Sequence, residues 1–246
     1  MATIAASPVE RRSAERRFYS RMALFMVALV FVGFAPSFYL RGYVNVPRPN
    51  PTLPPAVMLH GLLFTLWMLV FVAQTQLVAA GRRDLHMRLG KLSFVLALAI
   101  IPLMYLVGVW QVARANQPPF TDPLNWSIVP LSGIPAYAIM LWIGWGRRKE
   151  AQVHKRAMLS AALMLMHPAI GRIPMPPFLG FFALTGALSV ATFIPLLVWD
   201  KRQVGHIHWV SKLGVSLAAA ALLISLAFLA TGTWAPIAQH LPGVGS

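Results

Sequence analysis

Imidazole is the side chain best suited to metal binding, haem ligation and proton transfer near neutral pH, and this chain carries seven histidines and no cysteine. His86, His154 and His208 recur in one setting. Each follows a basic pair, a short polar stretch and an aliphatic residue, and each precedes an apolar run: GRRDLHMRLGKLSFVL, GRRKEAQVHKRAMLSAAL and DKRQVGHIHWVSKLGVSL. Each stretch holds one acid, Asp84, Glu150 or Asp200, and the third adds His206. An imidazole at a helix N-terminus feels the positive end of the helix dipole, which keeps the ring neutral, the form a metal requires. Histidines from three helices, with His206 and Asp84 nearby, make a candidate zinc, iron or copper site with an open position for substrate. The competing reading is that these rings cap helices and bond backbone or lipid at the headgroup boundary. Neither HExxH nor clustered histidine boxes occur. The absence of cysteine removes disulfides, thiolate zinc sites, iron–sulfur clusters and c-type haem attachment.

A second set lies in an apolar run. His60, Trp67 and Gln74 are spaced by seven and share one helical face. Polar groups in a membrane helix turn into the bundle, because lipid offers them no partner. That face either lines a haem, quinone or ligand cavity or makes interhelical hydrogen bonds. His167 and Arg172 flank a proline break at Pro168, which bends the helix and opens space beside His167. His60 and His167 are then the candidate axial pair of a haem b. Counted along their helices, their depths differ by roughly 10 Å at 1.5 Å per residue. Arg172 either binds an anionic headgroup or substrate, or reaches out to the interface.

The elements that position these residues follow from composition. The chain is 58% hydrophobic and 11% charged, with a mean hydropathy of +0.66. A soluble domain would carry roughly 25% charge. The net charge of +15 is not a nucleic-acid patch. It sits in short segments beside apolar spans, where anionic lipid headgroups are its partner. About 20 apolar residues cross a bilayer as helix. Seven spans are expected, near 22–40, 57–80, 90–112, 128–146, 156–173, 178–199 and 212–235. The fifth is interrupted by Pro168 and Gly171. Seventeen of the 21 lysines and arginines fall in four segments on one side: Arg11–Arg21, Arg82–Lys91, Arg147–Arg156 and Asp200–Lys212. The positive-inside rule then gives a cytoplasmic N-terminus and an external C-terminus in a bacterial inner membrane.

The expected architecture is all-α: one leading helix plus three helical hairpins. Residues 1–21 form a basic cytoplasmic tail, 22–235 the membrane domain and 236–246 an external tail. The first span is not a cleavable signal, since its polar leader is long and no small-residue cleavage site follows. The outer connections 41–56 and 115–127 are proline-rich linkers. The last span is rich in small residues (Gly214, Ser216, Ala218, Ser225), which favours close packing within the chain or against a partner subunit. The last span has no mid-membrane lysine for a retinal Schiff base, and no span holds the buried acid that a coupled transporter uses.

At LHGLLFTLW, DLHMRLGKL and VHKRAML the chain resembles a family of uncharacterised bacterial multi-pass membrane proteins. The resemblance covers roughly residues 18–215. It implies that His60, His86, His154, Arg172 and His208 stand at family positions, whereas His167 does not. Met87 stands where the family has a basic residue, and Ala157 where it has Leu. The family implies a fold and a topology, not a reaction. The leading expectation is therefore a histidine-based metal or redox site in the bundle, on the cytoplasmic face; the alternatives are, first, a non-catalytic accessory subunit of a larger membrane complex and, next, a carrier or binding protein for a lipophilic ligand.

Overall fold

Ser7 starts the first helix. Its Oγ accepts from the Glu10 N–H at 3.2 Å, and the Glu10 carboxylate accepts from the Ser7 N–H at 2.7 Å. This capping box satisfies two donors at the helix start. The structure, a computed structural model, describes residues 7–44, 52–115, 117–118, 121–173 and 181–244. Helix α1 runs Pro8–Phe34 and closes in a π-helical turn, Ala35–Tyr39. The basic leader is therefore helical from Pro8 onward. After it come α2 (Pro55–Ala79), α3 (Arg83–Arg114), α4 (Pro123–Trp126), α5 (Ile128–Gly146) and α6 (Ala151–Met164). The chain continues with α7 (His167–Ile170), α8 (Phe181–Ala191), α9 (Ile194–Val204), α10 (Trp209–Thr231) and α11 (Ala235–Ala238). Every named element among the described residues is helical.

Among the described residues, six stretches are long and apolar enough to cross a membrane: Val9–Tyr39, Pro55–Ala79, Arg83–Arg114, Pro123–Gly146, Phe181–Val204 and Trp209–Thr231. Their outer faces carry exposed Leu24, Phe31, Leu62, Leu69, Leu92, Val95, Trp142 and Leu223. A soluble monomer does not present so extended an apolar belt. The chain is a helical, multi-pass membrane protein.

The segment expected as the fifth of seven spans is built differently. α6 has 14 residues, Leu165 and Met166 turn, and the four-residue α7 follows. Pro168 offers no N–H to the Met164 carbonyl. The chain tightens instead, with Leu165 N–H bonded to Ala162 O at 3.2 Å and Met166 N–H to Leu163 O at 3.1 Å. Ala157, Leu159, Ser160, Ala161, Ala162 and Met166 are all fully buried here. Irregular backbone at membrane depth is tolerated where protein encloses it, and α6 and α7 pack among α1, α5 and α10. Their ends touch opposite ends of α1. Lys155 pairs with Glu15, and a Cβ added at Gly33 would strike the Ala169 carbonyl. Glu15 to Gly33 is about 27 Å of helix at 1.5 Å per residue. The broken segment thus runs the depth of the bundle without meeting the length or apolarity of a lipid-facing span.

The four basic segments meet at one end. Arg16 donates to Ala79 O at 3.3 Å, Glu15 holds Lys155, the His86 and His154 rings adjoin, and Arg156 binds Asp200. The C-terminal residues fold against the other end. Trp234 Nε1 donates to Ser127 Oγ at 2.9 Å, and the Tyr105 hydroxyl donates to Pro242 O at 3.0 Å.

Candidate functional site

Polar side chains collect in two places, one at each end of the bundle. At the basic end, α3 and α6 bring His86 and His154 together, ring centroids 6.2 Å apart and nearly perpendicular. Each ring is oriented by a neighbour. His154 Nδ1 donates to Gly144 O at 2.7 Å, which leaves Nε2 as the lone-pair nitrogen. The Gln74 amide, turned with its nitrogen toward His86, donates to His86 Nδ1 at 2.5 Å and His86 O at 3.2 Å. Its oxygen then accepts from the Gly90 N–H at 2.9 Å.

His208 does not join this pair. It is the N-cap of α10, with Nδ1 accepting from the Val210 N–H at 3.2 Å. Burial holds its pKa below the ordinary imidazole value, and the Arg156 guanidinium adds to the effect. His206 is exposed, and Asp84 is exposed with Arg82 Nε at 3.3 Å. Among the described residues, no group of three or more His, Cys, Asp or Glu is arranged to hold a metal ion. The three-histidine metal site is therefore not assembled, because capping claims the third imidazole and solvent claims His206 and Asp84.

Beside His208 lies a pair that sequence reasoning read as loop charge. Arg156 and Asp200 are 1% and 0% exposed. Arg156 Nε and Nη2 contact Asp200 Oδ1 at 2.8 and 2.7 Å, and Oδ2 accepts from the His208 N–H at 3.0 Å. Arg156 Nη1 donates to Gln152 O and Oε1 at 3.0 and 2.6 Å. The pair ties α6 to α9, and the Oδ2 bond adds the start of α10. The one hint in the sequence is an acid directly ending an apolar run, LLVWD.

The opposite end holds a cavity of about 610 Å³. The long helices offer the half farther from the basic segments: Phe34 at the end of α1 and Tyr39 in the turn after it, His60 and Phe64 of α2, Gln111 and Arg114 of α3, Ser132 of α5. His167 opens α7, Leu165 and Arg172 flank it, Phe182 and Thr185 come from α8, and Ser225 from α10. Most of the wall is aromatic or aliphatic. Ser132 and Ser225 hydroxyls meet at 2.9 Å, and the Tyr39 and Thr65 hydroxyls at 2.8 Å.

The α2 face read from the sequence points inward along its length. His60 lines the cavity, Trp67 is 2% exposed against Tyr137 with centroids 6.0 Å apart, and Gln74 reaches His86. His60 and His167 both line this cavity. The His167 ring meets Phe182 edge-on at 5.3 Å. His60 Nδ1 and His167 Nε2 are buried without a hydrogen-bond partner in the protein, as are Arg114 Nε and Gln117 Oε1 in the same lining. The Arg172 guanidinium lies 4.7 Å from the Phe34 ring centre and donates to Pro168 O at 2.9 Å. Compared with protein-family models, with curated proteins and with solved structures, the chain matches none of them.

Proposed function

We propose that this protein binds a lipophilic ligand in the cavity opposite its basic end. In this reading the chain crosses a bacterial inner membrane seven times, N-terminus inside, so the cavity faces the outer leaflet. The observation that carries it is one largely apolar cavity whose lining includes two imidazoles, His60 and His167, each with a buried ring nitrogen, Nδ1 and Nε2, that has no hydrogen-bond partner in the protein. A buried polar atom left unsatisfied costs about 1–3 kcal/mol, and a ligand head that reached these two rings would remove that cost. The volume lies within the roughly 300–1,000 Å³ of small-molecule sites, which combine apolar walls with a few convergent polar groups. The accessory-subunit reading draws on no comparable feature.

The test is to purify the protein in mild detergent, extract it with organic solvent and identify stoichiometric small molecules by mass spectrometry. A bound apolar molecule is expected, lost in His60→Ala at normal expression. An absorption spectrum on the same sample separates the second reading that the two nitrogens support. A Soret band would assign the cavity to haem b held by His60 and His167. Protein that neither retains nor rebinds any apolar molecule would refute the proposal.

A further inference from the structure

The cavity sorts its polar groups by depth. Four buried polar atoms of its lining have no hydrogen-bond partner in the protein: His60 Nδ1, Arg114 Nε, Gln117 Oε1 and His167 Nε2. All belong to the rim, the end away from the basic segments. Arg114 ends α3 and Gln117 follows it, His60 stands two turns outward of buried Trp67, and the His167 ring meets Phe182, one turn before Thr185. The hydroxyls farther in are already bonded within the protein. Ser132 and Ser225 meet at 2.9 Å, Thr185 Oγ1 donates to Phe182 O at 3.1 Å, and Ser189 Oγ to Thr185 O at 2.7 Å. The deepest wall is apolar: Met104 of α3, Leu163 of α6, Phe193 before α9 and Ala218 of α10. Arg114 to Met104 is about 15 Å of helix at 1.5 Å per residue. Phe193 closes this end. It is 0% exposed, and a Cβ added at Gly214, one turn beyond Ala218, would lie 3.3 Å from its ring and 2.6 Å from Ser160 Oγ.

Resting on the ligand-binding reading, we infer that the ligand is an amphiphile held head outward, its hydrogen-bonding head at the rim and its apolar body running inward, and that Phe193 sets the greatest length of that body. A polar head gains most at the rim, where unsatisfied atoms remain. The deep end offers it apolar contact and hydroxyls that already have partners. A straight alkyl chain spanning about 15 Å has about twelve carbons at 1.5 Å per C–C bond. A longer chain either overpacks against Phe193 or pushes its head past the rim.

The experiment uses the full chain in nanodiscs of zwitterionic lipid. Tritiated octanol, dodecanol, hexadecanol and octadecanol are compared by scintillation proximity, each relative to empty discs so that partition into lipid cancels. The relative signal should hold up to dodecanol and fall tenfold or more by octadecanol. Phe193→Ala opens space toward Gly214 and Ser160 and should move the fall to longer chains, with hexadecanol gaining about tenfold. Ala218→Leu fills the same end and should move the fall to shorter chains, with dodecanol losing about tenfold and octanol retained. Opposite shifts in two variants do not arise from misfolding. A signal that does not fall with chain length, or a fall that neither variant moves, would overturn the inference and leave the cavity reading intact. Binding of no alkanol would overturn it too, and organic extracts of the same samples then decide the cavity reading: a co-purified apolar molecule upholds that reading, and its absence overturns both.

Discussion

Removing one partner of the Arg156–Asp200 pair should be among the most damaging single changes in the chain. Asp200→Leu leaves a guanidinium that is 1% exposed without its counter-charge. Breaking a buried pair from one side costs about 3–5 kcal/mol. The His208 N–H loses its acceptor at 3.0 Å as well, but this residue is partly exposed, so water offsets much of that loss. The two bonds from Arg156 Nη1 to Gln152 survive. They cannot replace a charge, so the total stays near 3–5 kcal/mol. At roughly 2–4 °C per kcal/mol for a chain of this size, the melting midpoint falls by about 6–20 °C. Arg156→Met should cost a similar amount, because it strands a carboxylate that is 0% exposed. The double variant Arg156→Met/Asp200→Leu is the decisive sample. It replaces two desolvated charges with an apolar contact, a change that is often neutral or stabilising in other proteins. Its midpoint should therefore lie well above either single variant. Far-UV circular dichroism melts of the four proteins in one detergent give the coupling directly. Additive losses, with the double variant least stable, would show that the charges do not depend on each other and would refute the reasoning.

Reporter fusions after residues 85, 150 and 205 should all report cytoplasm, and a periplasmic signal at any one of them would end the seven-span topology. His208 gives a pH dependence with a defined sign. Its folded pKa is depressed by burial and by Arg156, so its cap contributes fully above about 6.5 and is lost as pH falls through the lower folded value. Wild type should therefore lose more stability between pH 7 and 5 than His208→Asn, which caps without titrating; parallel losses in the two proteins would exclude His208 as the cause. Gly33→Val should force α1 away from the Ala169 carbonyl and cost about 1–3 kcal/mol by overpacking, read as a lower melting midpoint; an unchanged midpoint would mean the two helices do not touch there. Trp67→Ala should lower the midpoint without changing the bound-ligand stoichiometry, because Trp67 packs on Tyr137 and Phe71 rather than lining the cavity.

Apolar length, basic flanks and helical period are properties of neighbouring residues, and they are where the sequence speaks clearly. They are enough for an all-helical membrane protein, for the gathering of four basic segments at one end, and for a shared face of His60, Trp67 and Gln74. The Pro168 break was legible for the same reason, since a missing N–H acts on the residue four positions back. What that break does in the bundle was not legible. Its shelter comes from α1, α5 and α10, and it carries His167 into the same wall as His60. The three repeat histidines look alike in sequence. Tertiary contacts separate them: His86 and His154 face each other because α3 and α6 adjoin, while His208 is held at the helix start beside Asp200. Arg156 and Asp200 stand 44 positions apart, each in a stretch rich in basic residues. Nothing local distinguishes a charge facing water from one facing another charge inside the bundle. The cavity is the extreme case, because each contributing helix brings only a few side chains, and it exists only where their ends converge.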